Sequence, residues 1–165
     1  SFVYLSLIHS LIADTIHLMK LIIHADGGAR GNPGPAAYGA VIENENGKKI
    51  AKLGKALGIR TNNQAEYGGV IAALEFIKKF LSSENIISTV EFYLDSDLIV
   101  NQLSGKYKIK SPELAMLAIK AKNIEREISI AVNYNHIPRE QNKFADKIVN
   151  QVLDSKMPVY EIDLA

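Results

Sequence analysis

The order of hydrophobic periodicities along the chain constrains its fold most strongly. Residues 20–57 contain three strand-like stretches, two of them joined by the hairpin signal Asn46-Gly47. Beyond them, stretches with helical spacing alternate with two further apolar runs, 88–94 and 129–137. The predicted order is β-β-β-α-β-α-α-β-α. This order predicts an α/β fold with a five-stranded mixed sheet, its first three strands antiparallel and helices on both faces.

The first predicted helix has a clear apolar face but an ambiguous start. Its start fits two capping pairs equally well, Thr61 with Gln64 or Asn63 with Glu66. The apolar face of the first helix consists of Tyr67, Val70, Ile71, Leu74, Ile77 and Leu81.

The last helix is predicted over 142–153.

Composition bounds the class of protein. A chain of 165 residues with 47% hydrophobic residues forms one domain with a real core. The absence of cysteine excludes disulfides and thiolate metal sites and fits a reducing compartment, so we expect the protein in the cytoplasm.

The net charge of +1 argues weakly against a dedicated nucleic-acid binder. A local cluster of lysines is either a binding patch or a solvated face: Lys106, Lys108, Lys110, Lys120 and Lys122.

The two ends of the chain fall outside the predicted domain, which we place at 19–156. Residues 1–18 form an apolar extension of unknown role, and 157–165 form a tail. The extension carries His9 and Asp14, lacks a preceding positive region, and is too interrupted for a good membrane span. We therefore expect no signal peptide and no membrane partner.

Four carboxylates stand where predicted elements begin or end. Asp26 and Asp95 each follow an apolar, strand-like run. Glu66 lies at the mouth of the first long helix, and Asp146 opens the last one. Because sites in such sheets gather at the carboxyl ends of parallel strands, we expect these side chains to meet. Clustered carboxylates suit hard cations such as Mg²⁺, which points to phosphodiester chemistry.

Each carboxylate also has an ordinary structural explanation. Asp95 taken alone is more typical of a turn or helix cap, and Glu66 of a capping box. Asp146 favours a helix N-terminus electrostatically. Asp26 is hardest to explain in this way, because it leads from an apolar run into a glycine-rich stretch. Asp97 is interpreted mainly as a first-turn helix acid.

The glycine-rich stretch 27–35 is predicted to be a loop rather than regular structure. Its glycines permit a close backbone approach to a bulky partner. The alternative is a plain tight turn.

Four segments together resemble the signature segments of type 1 ribonuclease H, in the same order and on the expected elements. The resemblance extends from about residue 20 to residue 153. It implies the ribonuclease H fold and cleavage of the RNA strand of RNA–DNA hybrids with two divalent cations, Mg²⁺ or Mn²⁺. The segments are Asp26–Pro35, Thr61–Glu66, Asp95–Asp97 and Ala145–Asp146.

The resemblance also implies a role for each carboxylate. Asp26 would bridge both ions. Glu66 and Asp95 would complete the ion near the leaving group, and Asp146 would help hold the ion that activates the attacking water. The products would carry 5′-phosphate and 3′-hydroxyl ends. Further residues are implied to contact the substrate: Gly27, Asn32, Thr61, Asn63, Gln64 and Arg139.

Two departures from the well-studied bacterial members indicate a subgroup. Those members carry a longer, basic, tryptophan-containing protrusion, whereas this chain has no Trp and only the short basic stretch 105–110. They also carry a histidine before the last acid, which the segment 137–143 lacks. His136 is interpreted as a structural strand residue. Arg139 would handle phosphate or product instead, since a guanidinium matches phosphate geometry.

The sequence therefore predicts a monomeric, metal-dependent endoribonuclease. Two classes of alternative stay open. One is a related nuclease on the same fold, such as a junction resolvase, an enzyme that also cuts double-stranded RNA, or a domain of a reverse transcriptase. The other is a non-catalytic module that binds hybrids.

Overall fold

The computed structural model describes residues 18–80 and 87–164, which form a six-stranded mixed sheet with helices packed on it. Residues 1–17 and Leu81 lie outside the described residues. The strand order is β5-β4-β1-β2-β3-β6. The elements are β1 (Met19–Ala29), β2 (Gly34–Asn44), β3 (Lys49–Arg60), α1 (Asn62–Phe80), β4 (Ile87–Leu94), α2 (Asp97–Leu103), α3 (Pro112–Ile128), β5 (Ala131–His136), α4 (Lys143–Ser155) and β6 (Val159–Ile162), with a 3₁₀ turn at Arg139–Gln141 before α4.

Strand directions follow the predicted pattern. Strands β1, β2 and β3 are antiparallel neighbours, while β4 pairs parallel with β1, and β5 parallel with β4. The Asn46-Gly47 hairpin is confirmed: Gly47 has φ +79°, and the Asn44 amide donates to the Lys48 carbonyl at 3.0 Å. The adjacent ends of β1 and β4 thus lie at one edge of the sheet.

The predicted number of strands was wrong, because the sheet has a sixth strand. Strand β6 lies within the segment predicted as a tail and pairs antiparallel with β3, from Gly54 with Val159 to Ala51 with Ile162. Its four residues are too few to show an alternation in the sequence, and only Val159 is buried. Pairing satisfies main-chain groups that β3 would otherwise leave at an open edge.

The predicted loop over 27–35 was also too long. Strand β1 continues through Ala29 and β2 begins at Gly34, so Gly27 pairs with Tyr38 and Ala29 with Ala36. Only the residues between the two strands form the connection. Gly27 and Gly28 belong to regular strand because both pair with residues of β2.

The helices cover both faces of the sheet. The predicted apolar face of α1, from Tyr67 to Ile77, is buried and shares one core with α3 and alternate residues of β1. Helix α4 packs on the opposite face, against a second cluster that contains Ala37 and Val41 of β2. Among the helices of the described residues, none is long and apolar enough to cross a membrane.

The structure resolves the ambiguous start of α1 in favour of Thr61 with Gln64. The Gln64 amide donates to Thr61 Oγ1 at 3.2 Å, and the Thr61 amide donates to Gln64 Oε1 at 2.9 Å. This reciprocal pair is a capping box, which satisfies two donors at the helix start. Glu66 is therefore left free of capping.

Candidate active site

The parallel pairing of β1 with β4 brings two of the carboxylates together. His24 pairs with Tyr93 in the last step of the ladder, and Asp26 and Asp95 each follow two residues later. Asp26 is buried, with 7% of the residue exposed, whereas Asp95 is half-buried. The structure thus brings these two side chains together, as the sequence predicted.

Gly27 explains how the third carboxylate reaches the other two. A Cβ at Gly27 would lie 2.0 Å from the Ala65 carbonyl carbon and 2.2 Å from the Glu66 amide nitrogen. Such distances are impossible for a side chain, so only glycine lets the first turn of α1 rest on β1. The close backbone approach predicted for this glycine is therefore to the chain's own helix, and it sets Glu66 beside Asp26.

Three carboxylates form a compact group, and the fourth lies in the same cleft. One oxygen from each of Asp26, Glu66 and Asp95 lies within 4.8 Å of the others. Asp146 is outside this tight group but lines the same cleft of about 470 Å³ from the first turn of α4. The cleft is lined by Asp26, Gly27, Gly28, Ala29, Arg30, Asn62, Glu66, Asp95, Arg139, Asp146, Val149, Asn150 and Leu153.

Burial and mutual repulsion shift the protonation of the group. Burial first, and the nearby charge of Asp95 second, raise the pKa of Asp26 to about 7. Burial, followed by the charges of Asp26 and Asp95, raises the pKa of Glu66 well above its usual value. Asp26 is therefore partly protonated near neutral pH, and the protonated form of Glu66 is favoured, unless a positive charge stands between them.

The same group fits a divalent cation. Glu66 Oε2 is buried and has no hydrogen-bond partner, which is costly for a carboxylate oxygen. A cation between the three carboxylates would supply that partner and offset the repulsion. An all-oxygen set of ligands suits Mg²⁺ or Mn²⁺ rather than softer metals.

Asp146 is held by neighbours on its own side of the cleft. Asn150 Nδ2 donates to Asp146 Oδ2 at 3.3 Å, and Arg139 Nη2 lies 3.6 Å from Asp146 Oδ1. The Arg139 side chain is 80% exposed, so this ion pair is weak. Its guanidinium stays available to an anion that enters the cleft.

The predicted substrate contacts divide into two groups. Gly27 and Arg139 line the cleft with the carboxylates. Asn32 Oδ1 accepts from the Asn62 amide at 3.0 Å, and Thr61 and Gln64 form the capping box, so these three side chains have structural partners. Gln64 lines a neighbouring groove between β3 and the helices α1 and α3. Asn63 is half-buried in the first turn of α1.

Sequence reasoning missed three asparagines near the carboxylates. Asn62 lines the cleft, and its Oδ1 accepts from the Ala29 amide at 2.9 Å. Asn150 lines the cleft and bonds Asp146. Asn142 is buried at the start of α4. Asn62 stands beside the residues that were chosen, and Asn150 lies four residues after Asp146 in the same helix, a spacing that the sequence shows. Only the side-chain contact of Asn142 depends on how α4 docks.

Asp97 and His136 lie outside the acidic cleft, at the positions in α2 and β5 that the sequence indicated. Asp97 lies in the first turn of α2, where its carboxylate accepts from Asn101 Nδ2 at 2.9 Å. It does not line the acidic cleft. His136 ends β5 and is exposed, and the lining of the cleft within the described residues does not include it.

The lysine cluster separates into a paired part and an exposed part. Lys120 lies 3.2 Å from Glu75, and Lys122 lies 3.1 Å from Glu125. Lys106, Lys108 and Lys110, in the stretch that links α2 to α3, are all exposed. Of the lysine cluster considered from the sequence, only the lysines of residues 106–110 therefore remain as a candidate binding patch.

Comparisons with known proteins agree with this fold. The family model described as "Reverse transcriptase-like" matches residues 24–152. A ribonuclease H of Ehrlichia ruminantium (strain Gardel) is 30% identical over 73% of this chain and 79% of its own length. The chain belongs to the ribonuclease H-like family within this reverse transcriptase-like group.

Two further relatives show how much of the chain is shared. The bifunctional protein Rv2228c of Mycobacterium tuberculosis is 40% identical over 83% of this chain, but the chain spans only 36% of that protein. LC11-RNase H1, isolated from compost by a metagenomic approach, was solved in complex with an RNA/DNA hybrid. It superposes with a TM-score of 0.78 at 42% identity, over 82% of this chain and 98% of its own.

Proposed function

We propose that this chain is an endoribonuclease that hydrolyses the RNA strand of RNA–DNA hybrids, leaving 5′-phosphate and 3′-hydroxyl ends. The observation that supports it most is the group formed by Asp26, Glu66 and Asp95, whose carboxylate oxygens lie within 4.8 Å in an open cleft. The relative solved with an RNA/DNA hybrid supports the choice of substrate.

Two Mg²⁺ or Mn²⁺ ions are the proposed cofactors. When bound, such a pair stabilises the attacking and departing oxygens of an in-line displacement at phosphorus. Asp26 would be shared between the ions, with Glu66 and Asp95 on one and Asp146 on the other. The orphaned Glu66 Oε2 and the raised pKa of Asp26 support this assignment.

The chain's own residues then hold the substrate. Arg139 stands exposed beside Asp146 and can pair with a phosphate oxygen. Thr61 and Gln64 keep a hydroxyl proton and an amide N–H₂ beyond their capping bonds, and both can donate to a nucleic-acid strand. With Asn32, Asn63 and the backbone at Gly27, they would read the wide minor groove and its 2′-hydroxyls.

We further propose membership of the subgroup that lacks the catalytic-loop histidine and the long protrusion. Arg139 rather than a histidine lines the cleft ahead of Asp146, and a short exposed segment links α2 to α3. A monomer in the cytoplasm is the proposed working form, in line with the absence of cysteine.

Cleavage of defined substrates tests the proposal. The protein is incubated with end-labelled RNA–DNA hybrid, single-stranded RNA, double-stranded RNA and DNA duplex, with Mg²⁺, Mn²⁺ or EDTA. We expect cutting of the RNA strand in the hybrid, dependence on the cation, and 5′-phosphate products. Equal cutting of all RNA substrates, or cutting in EDTA, would refute the proposal. Additional cutting of double-stranded RNA alone would assign the broader specificity left open above.

A further inference from the structure

Asn142 occupies a helix-capping position without capping the helix. It is the N-cap residue of α4, where an asparagine side chain ordinarily accepts from an amide of the first turn. Its side chain makes no such bond. Instead Asn142 Nδ2 donates to the Ala25 carbonyl at 2.9 Å, across 117 residues of sequence. The residue is 1% exposed, so this bond is shielded from water.

The bond falls at the place where β1 loses its neighbour β4, while its pairing with β2 continues. The ladder between β1 and β4 ends at the pair His24 and Tyr93, one residue before Ala25. Ala25 is fully buried and immediately precedes Asp26. A buried carbonyl without a donor is destabilising, and Asn142 supplies the donor at the position just after the ladder ends.

The main chain of Asn142 is tied to the opposite side of the cleft. Its carbonyl accepts from the Asp146 amide at 3.1 Å, and its amide donates to the Arg139 carbonyl at 3.0 Å. One buried residue therefore connects the strand that carries Asp26 with the turn and helix that carry Arg139 and Asp146. The side chain's Oδ1 has no partner, which is an energetic cost of this arrangement.

We propose that Asn142 is a positioning residue, which sets the separation of Asp26 and Asp146 and so the geometry in which the cleft holds cations. Asn142 touches neither substrate nor cation in this role. The inference rests on the proposed function for its kinetic readout, whereas cation affinity is measured without any turnover.

Two substitutions separate positioning from folding. Asn142→Leu keeps the branched shape and removes both the donor and the unpartnered Oδ1. Because the buried Ala25 carbonyl then loses its donor, we expect the thermal midpoint to fall, and unfolding in EDTA measures that cost separately from cation binding. Asn142→Ala serves if the leucine variant does not fold. Asn135→Ala is the matched control: Asn135 Nδ2 also donates to a strand carbonyl, Phe92 O at 3.1 Å, but three residues before Asp95.

Mn²⁺ affinity is measured by calorimetry and hybrid cleavage by steady-state kinetics, with thermal unfolding followed in EDTA. For Asn142→Leu we expect Mn²⁺ affinity and kcat to fall about 10–100-fold, as for other residues that orient metal ligands, with KM changed less than threefold. Asn135→Ala should change the thermal midpoint alone.

Unchanged Mn²⁺ affinity and kcat in the folded Asn142 variants, or equal losses in Asn135→Ala, would overturn the positioning role while leaving the hydrolase proposal intact. A wild-type protein that binds Mn²⁺ but leaves hybrids uncut would instead refute the hydrolase proposal, and the affinities of the variants would still decide the role of Asn142.

Discussion

At the residue scale, Asp26 is the group on which the proposed chemistry depends most. It is a buried residue and belongs to the compact group of three carboxylates. Asp26→Asn keeps the shape and removes the charge, so we expect kcat to fall by at least about 10²–10³-fold. Binding to the hybrid, measured by fluorescence anisotropy, should change less than threefold.

Asp97→Asn is the control for this prediction. Asp97 lies two residues from Asp95, but its carboxylate accepts from Asn101 Nδ2 in the first turn of α2 and is absent from the lining of the acidic cleft. The Asp97→Asn variant should lose about 0.5–1 kcal/mol in its free energy of unfolding, because the negative charge at the start of α2 is removed. Its kcat should stay that of the wild-type protein. An Asp26→Asn variant with substantial activity would show that the carboxylate group is not the catalytic centre.

The sequence indicated Glu66, Asp95 and Asp146 because each stands near an element boundary that periodicity reveals, and Asp26 because the apolar run of β1 gives way to glycine there. It could not indicate Asn142, whose side-chain partner lies 117 residues away. Nor could it choose between Thr61 with Gln64 and Asn63 with Glu66, because both pairs have the right side chains at the right spacing. The sequence pattern therefore predicted which carboxylates matter but not the contacts that depend on tertiary packing.

At the element scale, the seating of α1 on β1 depends on a single missing side chain. Gly27→Ala would place a Cβ 2.0 Å from the main chain of Ala65, so the helix must move away from the strand. We expect a loss of at least about 2–3 kcal/mol in the free energy of unfolding, and loss of cation binding as Glu66 retreats. Urea unfolding with Mn²⁺ calorimetry measures both.

The neighbouring glycine provides a matched control. A Cβ at Gly28 would meet only Val149 Cγ1 at 3.4 Å, an ordinary contact with a movable side chain. Gly28→Ala should therefore change the free energy of unfolding by less than about 1 kcal/mol. Equal stability of the two variants would contradict the packing described for α1.

Elements with strong periodicity were predicted well, and the exceptions share a physical cause. The buried face of α1 and the hairpin at Gly47 follow from local chemistry. Strand β6 and the extension of β1 through Gly27 and Gly28 do not, since β6 is defined by its pairing with β3 and glycine has no strand preference of its own. Neighbouring elements, rather than local sequence, make these segments extended.

At the scale of the whole molecule, the acidic cluster should make cation-free protein less stable as pH rises. The pKa of Asp26 is about 7 in the folded chain against an ordinary value of 3.8. Below about pH 4 the residue is protonated in both states. Between pH 4 and 7 the unfolded chain releases the proton and the folded chain retains it, so the free energy of unfolding falls.

The expected loss is on the order of 2–4 kcal/mol between pH 4 and pH 8, measured by urea unfolding in EDTA. Asp26→Asn should remove the share of this decline that comes from Asp26, because its amide does not titrate, and leave the share of Glu66, whose pKa burial also raises. Added Mn²⁺ should restore stability to the wild-type protein at pH 8 and leave the variant nearly unchanged. A wild-type decline identical to that of Asp26→Asn would contradict the assigned burial of the carboxylate.

The most direct measurement is anomalous diffraction from crystals soaked in Mn²⁺. Side chains from two strand ends and two helix starts are proposed to hold a pair of cations, so we expect two anomalous peaks in the cleft. Asp26 should coordinate both ions. Glu66 and Asp95 should coordinate the first ion, and Asp146 should coordinate the second. A cleft without Mn²⁺, or a peak that Asp26 does not touch, would contradict the account.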